Sequence, residues 1–230
     1  GQSASMAETV SSGTSTGLTV ATTGDTDDND FAIASGNTGT AFQIAAASGA
    51  ITVANAGLDY DTTTSYTLGI TVTDGDAQSA VSVTVTITDV NDQTPAVSVA
   101  STYNHAEAEA TTWLDFTMVD TDTTGTYACT IAGTDAADFT KSVSGKVCTV
   151  AWAANPDFED KQDAGTNNVY DITLAFTDGT NPLSAQATAI TVTDVNDQTP
   201  AVSVASTYSQ AEAAATTFQA FTMVDTDTTG

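Results

Sequence analysis

Arginine is absent from this chain, and three lysines (Lys141, Lys146, Lys161) and one histidine (His105) face 29 acidic residues, a formal net charge of −26. So few cations make nucleic acid and anionic membranes poor partners, because phosphate binding needs positive charge. No apolar run approaches the ~18–20 residues of a membrane span. There is no start methionine, no signal peptide and no Asn-x-Ser/Thr acceptor, so Gly1 reads as a processed end or the start of an excerpt. Cysteine occurs only at Cys129 and Cys148, among strand-like neighbours. A disulfide closing a loop of about 20 residues would contribute roughly 3 kcal/mol and would imply an oxidising compartment. Two buried free thiols are the alternative.

What the chain has instead is repetition. The words "TDVNDQTPAVSVASTY" at 88–103 return at 193–208, 105 residues later, and "TMVDTDTTG" at 117–125 returns at 222–230. Glu107 recurs as Glu212, and the first hundred residues carry a looser version, with "GDTD" at 24–27, "LDYD" at 58–61 and "TDG" at 73–75. The second repeat answers with "PDFED" at 156–160 and "TDG" at 177–179. These marks divide the chain into repeats at 1–94 and 95–199 and the start of a third at 200–230, which suggests a piece of a longer array. Two domains also suit the length, and 40% hydrophobic residues supply real cores.

Between the marks, apolar residues alternate with period two. Leu68, Ile70 and Val72 share a face; so do Val81, Val83, Val85 and Ile87, then Tyr170, Ile172, Leu174 and Phe176, then Ile190 and Val192. Threonine and serine fill the opposite face, as half-buried antiparallel strands require. The alanine-rich pieces 106–110 and 211–215 are too short to nucleate a helix and read as edge strand or loop. Short Val/Ile/Thr strands punctuated by Gly and Asp predict an all-β fold of tandem sandwiches.

The carboxylates could in principle serve an enzyme. "GTSTG" at 13–17 matches a nucleophile elbow, but that motif needs a strand before it, a helix after it and a histidine base. It reads as a flexible loop, and His105 becomes Gln210 in the next copy. Paired acids could serve a glycosidase, yet the same acids return at every junction, which suits a structural task. An EF-hand also fails, because "DTDDND" at 25–30 lacks the glycine and the closing glutamate of that loop.

The ordered set of Glu, Asp-x-Asp, Asp-x-Glu-like, "TDG" and "DVNDxxP" resembles the cadherin repeat, over both full repeats. The resemblance implies seven-stranded Greek-key sandwiches in series, joined by linkers that bind Ca²⁺. Carried over residue by residue, the first junction would use Glu8, Asp59 and Asp61, then Asn91 and Asp92 with the carbonyls of Val90 and Gln93, then Asp120, Asp122 and Asp178. The second would use Glu107, Asp157, Glu159, Asn196, Asp197, Asp225 and Asp227, while Asp25, Asp27 and Asp74 would cap the first repeat. Asp61 stands where the family usually has glutamate, Gln93 and Gln198 stand where asparagine is common, and "KQDAGTNN" lengthens a loop after "DFED". The adhesive N-terminal tryptophan of classical cadherins has no match; Trp113, which is Phe218 in the next copy, and Trp152 read as core.

Seven acids crowded at a junction would repel unless a hard cation neutralised them, and Ca²⁺ takes six to eight oxygens. Pro95 and Pro200 then start the next strand in an extended course. The expected function is a calcium-rigidified, extracellular or cell-surface array serving as adhesin or stalk. Its partners would be other repeats, homotypic chains, or a surface glycan or protein. The alternatives are a subunit of an extracellular filament or sheath and a binding module attached to an extracellular enzyme; an enzyme proper is not expected. The Ala/Thr/Val/Asp bias and near-identical copies resemble bacterial giant surface proteins.

Overall fold

The structure, a computed structural model, describes residues 1–23, 29–75, 77–204, 209, 212 and 221–227. It divides into two compact units, Gly1–Thr94 with Asp120–Thr126, and Pro95–Val119 with Tyr127–Gly230.

Unit 1 contains β1 (Gln2–Ala7), β2 (Ser15–Thr19), β3 (Asn29–Ser35), β4 (Phe42–Ile44), β5 (Ala50–Val53), β6 (Ser65–Asp74) and β7 (Ala77–Thr88). One sheet runs β1-β7-β6-β3 and the other β2-β5-β4. β1 lies parallel to β7, whereas β6 and β7 form an antiparallel ribbon from Ser65↔Thr86 to Asp74↔Ala77. Alternation puts Leu68, Ile70, Val83, Val85 and Ile87 inside, against Phe42, Ile51 and Val53. Each fully buried aliphatic side chain contributes roughly 1.5–3 kcal/mol relative to exposure.

Two expectations need correcting here. Val81, predicted to join the buried face, is 39% exposed. The twelve-residue β7 outruns the facing strands, which have only three to five residues, so its first part has no opposite sheet. The "GTSTG" segment is not simply a loop, because Ser15–Thr19 is strand β2. Gly17, at φ 77°, marks an irregularity in its pairing with β5, and the buried Thr16 hydroxyl donates to the Ile51 carbonyl at 2.9 Å.

Unit 2 repeats the plan with β8 (Thr102–Ala106), β9 (Thr112–Thr117), β10 (Ala128–Ala132), β11 (Phe139–Ser144), β12 (Val147–Trp152), β13 (Val169–Thr177) and β14 (Gln186–Thr193). Its sheets run β10-β13-β14-β8 and β11-β12-β9. Tyr170, Ile172, Leu174, Phe176, Ile190 and Val192 are buried, as their alternation predicts. The Cys129–Cys148 disulfide joins β10 of one sheet to β12 of the other. Trp152 is buried among Phe139, Tyr170 and His105, with half-buried Trp113 stacked on it. The chain leaves β8 at Ala106 in a turn, as read from its alanine-rich sequence; residues 211–215, Glu212 apart, lie outside the described residues.

Register explains the histidine. Met6 stands opposite Ile87 in unit 1, and His105 stands opposite Val192 in unit 2. His105 therefore fills a core position, and burial lowers its pKa, with Glu109 acting weakly the other way. Two further strands, β15 (Ala201–Val202) and β16 (Met223–Val224), pair antiparallel.

Asp135, which lies outside every repeated motif and has the appearance of surface charge, is buried. Its two carboxylate oxygens accept from Ala164 N (2.7 Å) and Asp171 N (2.6 Å). Buried Asp163 accepts from Asn167 N and Asn168 N at 3.0 and 2.9 Å. These two acids organise the inserted loop from inside, satisfying backbone donors that would otherwise be orphaned.

Candidate metal centre

The site begins with a buried glutamate at the end of β1. Glu8 accepts from Tyr60 N at 2.6 Å and from Val90 N at 2.7 Å, tying the loop after β5 to the segment after β7. Glu107, at the end of β8, does the same with Phe158 N at 2.6 Å and Val195 N at 2.7 Å. Such charge-assisted bonds are about twice as strong as neutral ones, so each glutamate fixes two acidic loops side by side.

In unit 1 this brings Asp61, Asp89 and Asp122 together, one oxygen from each lying within 4.8 Å of the others. Asp61 accepts from the Thr121 hydroxyl at 2.8 Å, and buried Asp122 accepts from Gln93 N at 2.9 Å. Asp120 receives Asp122 N at 3.1 Å, a turn that aims both carboxylates the same way. Asp89 accepts from Thr123 N at 2.7 Å, from the Thr123 hydroxyl and from Thr124 N at 3.1 Å. Asp59 caps its own loop through Thr62, and Asp92 receives the Gln93 side chain at 2.9 Å.

Charge crowding shows in the titration of these groups. Burial raises the Asp122 pKa, and the charges of Asp120, Asp89 and Asp61 push in the same direction. Burial would raise Asp89 too, but its hydrogen bonds from Thr123 and Thr124 outweigh it and hold the carboxyl below the ordinary range.

Unit 2 gathers two sets, Glu107 with Asp157 and Glu159, and Glu159 with Asp197 and Asp227. Asp157 accepts from Glu159 N and Asp160 N, both at 3.0 Å, so its turn presents Glu159 inward. Neither Glu159 oxygen has a hydrogen-bond donor among the described residues, although both are buried. Burial raises the Glu159 pKa, reinforced by Glu107, Asp194 and Asp227. Gln198 donates from its backbone to Asp227 at 2.9 Å and from its side chain to Asp197 at 2.7 Å, and Asp225 receives Asp227 N at 3.3 Å.

Asp178 is fully buried and accepts from Thr180 N (2.8 Å) and Asn181 N (2.6 Å). Asn91 is half-buried and Asn196 exposed, each one residue before its aspartate. Asp74, exposed at the β6–β7 hairpin, joins no acidic group among the described residues. Asp25 and Asp27 lie outside the described residues. Asp89 is the residue that sequence reasoning passed over, along with its copy Asp194. The signal was present, since each opens an Asp-Val-Asn-Asp word.

Residues 2–88 match the sequence model of the cadherin domain. No curated protein sequence matches the chain. Among solved structures, the extracellular cadherin domains 3–6 of protocadherin gamma B2 are 25% identical and superpose with a TM-score of 0.63, over 98% of this chain and 54% of that one. Human CDH23 EC21-23 is 19% identical, TM-score 0.68, over 98% of this chain and 78% of that one. The human desmocollin-1 ectodomain is 18% identical, TM-score 0.68, over 87% of this chain and 42% of that one. The chain thus spans from a third to about half of the first structures it matches. No helix among the described residues is long and apolar enough to cross a membrane. With the motif order, the paired seven-stranded sandwiches and these likenesses in agreement, residues 2–88 match a cadherin domain and both units have the cadherin-like sandwich fold.

Proposed function

We propose that this chain is a calcium-rigidified segment of a surface adhesin or stalk. The donor set fits the ion. It offers hard carboxylate oxygens without histidine or thiolate, and two ligands across a Ca²⁺ at about 2.4 Å stand about 4.8 Å apart, the spread within which these acids converge. The observation that carries the reading is Glu159, whose two buried oxygens lack donors among the described residues while Glu107, Asp157, Asp197 and Asp227 crowd around it. A buried carboxylate without a donor costs several kcal/mol unless it is protonated or meets a cation.

Asp61, Asp89 and Asp122, with Glu8, Asp59, Asn91, Asp92, Asp120 and the carbonyls of Val90 and Gln93, are proposed to hold calcium in unit 1. Glu107, Asp157, Glu159, Asn196, Asp197, Asp225 and Asp227 are proposed for unit 2, and Asp178 is a further proposed ligand. The bound ion would supply positive charge that cancels the repulsion and fixes the loops. Partners would be other repeats or homotypic chains, and the unit boundaries would follow the repeats at 94 and 199. Calorimetric titration of the chain with Ca²⁺ should give millimolar or tighter binding, the range of extracellular modules. Small-angle scattering should report a stiffer particle with calcium than with chelator; an unchanged maximum dimension and melting temperature would remove the reading.

A further inference from the structure

The two units end the same sheet edge differently. In unit 2, β11 is the outer strand of the β11-β12-β9 sheet and pairs only with β12 among the described residues. It is six residues long, and all but Phe139 are exposed. In unit 1 the matching outer strand, β4, has three residues. Short strands and charged side chains are two common ways of keeping an open edge from pairing with another chain.

Register shows which device unit 2 uses. Val20 N donates to Gly49 O as Met118 N donates to Lys146 O, so β5 and β12 align with Ile51 at Cys148 and Val53 at Val150. Phe42 stands opposite Val53, and Lys141 stands opposite Val150. Opposite residues put their side chains on one face, and Val150 and Cys148 are both buried. Lys141 therefore occupies the core-facing position that Phe42, 2% exposed, fills in unit 1. Phe139 and Trp152, with ring centres 4.4 Å apart, fill the core beside it. The lysine itself is exposed and has no ion pair among the described residues. Val143, two residues on and on the same face, is 37% exposed. One ammonium thus interrupts an apolar strip along an open strand.

We propose that Lys141 keeps the β11 edge of unit 2 closed to the β11 edge of a second copy. An antiparallel pairing that joins the two sheets with both cores on one side sets Lys141 opposite Lys141 of the second copy, or opposite Phe139 or Val143. In the first case like charges stand on positions about 4.5–5.5 Å apart at Cβ, which is destabilising. In the others an ammonium loses water against apolar surface. Without the lysine the same strand offers Thr140 and Val143, residues that strands favour, and a row of unpaired backbone groups. This inference uses no metal and stands apart from the calcium reading.

Sedimentation at rising concentration, with calcium and with chelator, tests it. Lys141→Val and Lys141→Thr should each form a dimer whose dissociation constant is about tenfold below that of the unsubstituted chain, which corresponds to about 1.4 kcal/mol. They should do so although an acidic chain becomes one charge more negative, which by itself makes copies repel. Lys161→Val makes the same charge change away from the edge and should leave the constant unmoved, as should Lys141→Arg, which keeps the charge. Adding Val143→Lys to Lys141→Val restores a cation on the same face and should undo the gain. Position 141 is exposed, so melting curves with the disulfide intact should show these variants folded. An unchanged constant in both folded position-141 variants, an equal gain in Lys161→Val, or a dimer that Val143→Lys leaves intact would each overturn the proposal.

Discussion

Replacing the buried Asp135 with alanine deletes the acceptor for two backbone donors, Ala164 N and Asp171 N, which approach to 2.7 and 2.6 Å. Both bonds run to a buried charged group, and each contributes about 1–3 kcal/mol. The sum is about 2–6 kcal/mol, a large part of the 5–15 kcal/mol that a domain of this size has in total. At about 4–8 °C per kcal/mol, a loss near 3 kcal/mol lowers the melting temperature of unit 2 by about 12–24 °C. Asp135→Asn keeps one acceptor and should lose about half as much. Asp30→Ala, at an exposed position on β3, serves as the surface control. Scanning calorimetry with the disulfide intact measures all three. A loss for Asp135→Ala below about 0.5 kcal/mol, the ordinary range of surface substitutions, would refute the claim that this carboxylate organises the inserted loop.

Glu8→Gln and Glu107→Gln keep the shape but weaken two charge-assisted bonds each; each should destabilise its own unit by about 1–3 kcal/mol and reduce calcium affinity there, read by calorimetric titration. Reduction of Cys129–Cys148 should cost unit 2 about 3 kcal/mol in denaturant melts and leave calcium affinity unchanged. Burial lowers the His105 pKa from its ordinary 6.5. The unfolded chain therefore binds the proton first: this contribution is complete above pH 6.5 and is lost as pH falls from there toward the folded value. His105→Met, which restores the residue that unit 1 uses at this register, should flatten that slope in melting curves taken across the window. Asp89→Asn should weaken calcium binding by tenfold or more, about 1.4 kcal/mol, whereas Asp74→Asn, outside the acidic groups of the described residues, should change it little.

Much of this was legible in the sequence because the information was periodic. The alternation through Tyr170, Ile172, Leu174 and Phe176 read as a buried strand face because every second position meets the same sheet, and all four are buried. The 105-residue repeat likewise located the acidic words, since loops that recur in order must be held by elements that recur in order. Val81 belongs to the same alternation yet is exposed, because periodicity gives the face of a strand but not how far the opposite sheet reaches. Asp135 and Asp163 were invisible for a different reason: each serves backbone amides about 30 residues away or within one inserted loop, and no spacing rule encodes those partners. Asp89 was readable but hidden by its neighbours, since only the fold shows which acids of Asp-Val-Asn-Asp turn toward Asp61 and Asp122.

The bridge between β10 and β12 also sets how unit 2 would behave under tension. Its cysteines are 19 residues apart in sequence, and a fully drawn chain spans about 3.3–3.6 Å per residue. When a pulling force ruptures the sandwich, the bond withholds about 60 Å of contour length that reduction would release. A single-molecule trace of unit 2 should therefore lengthen by about that amount after thiol treatment, while unit 1, which contains neither cysteine, should yield the same length before and after. Two modules with one strand plan would then respond differently to load, one extending in full and one keeping a tether of fixed slack.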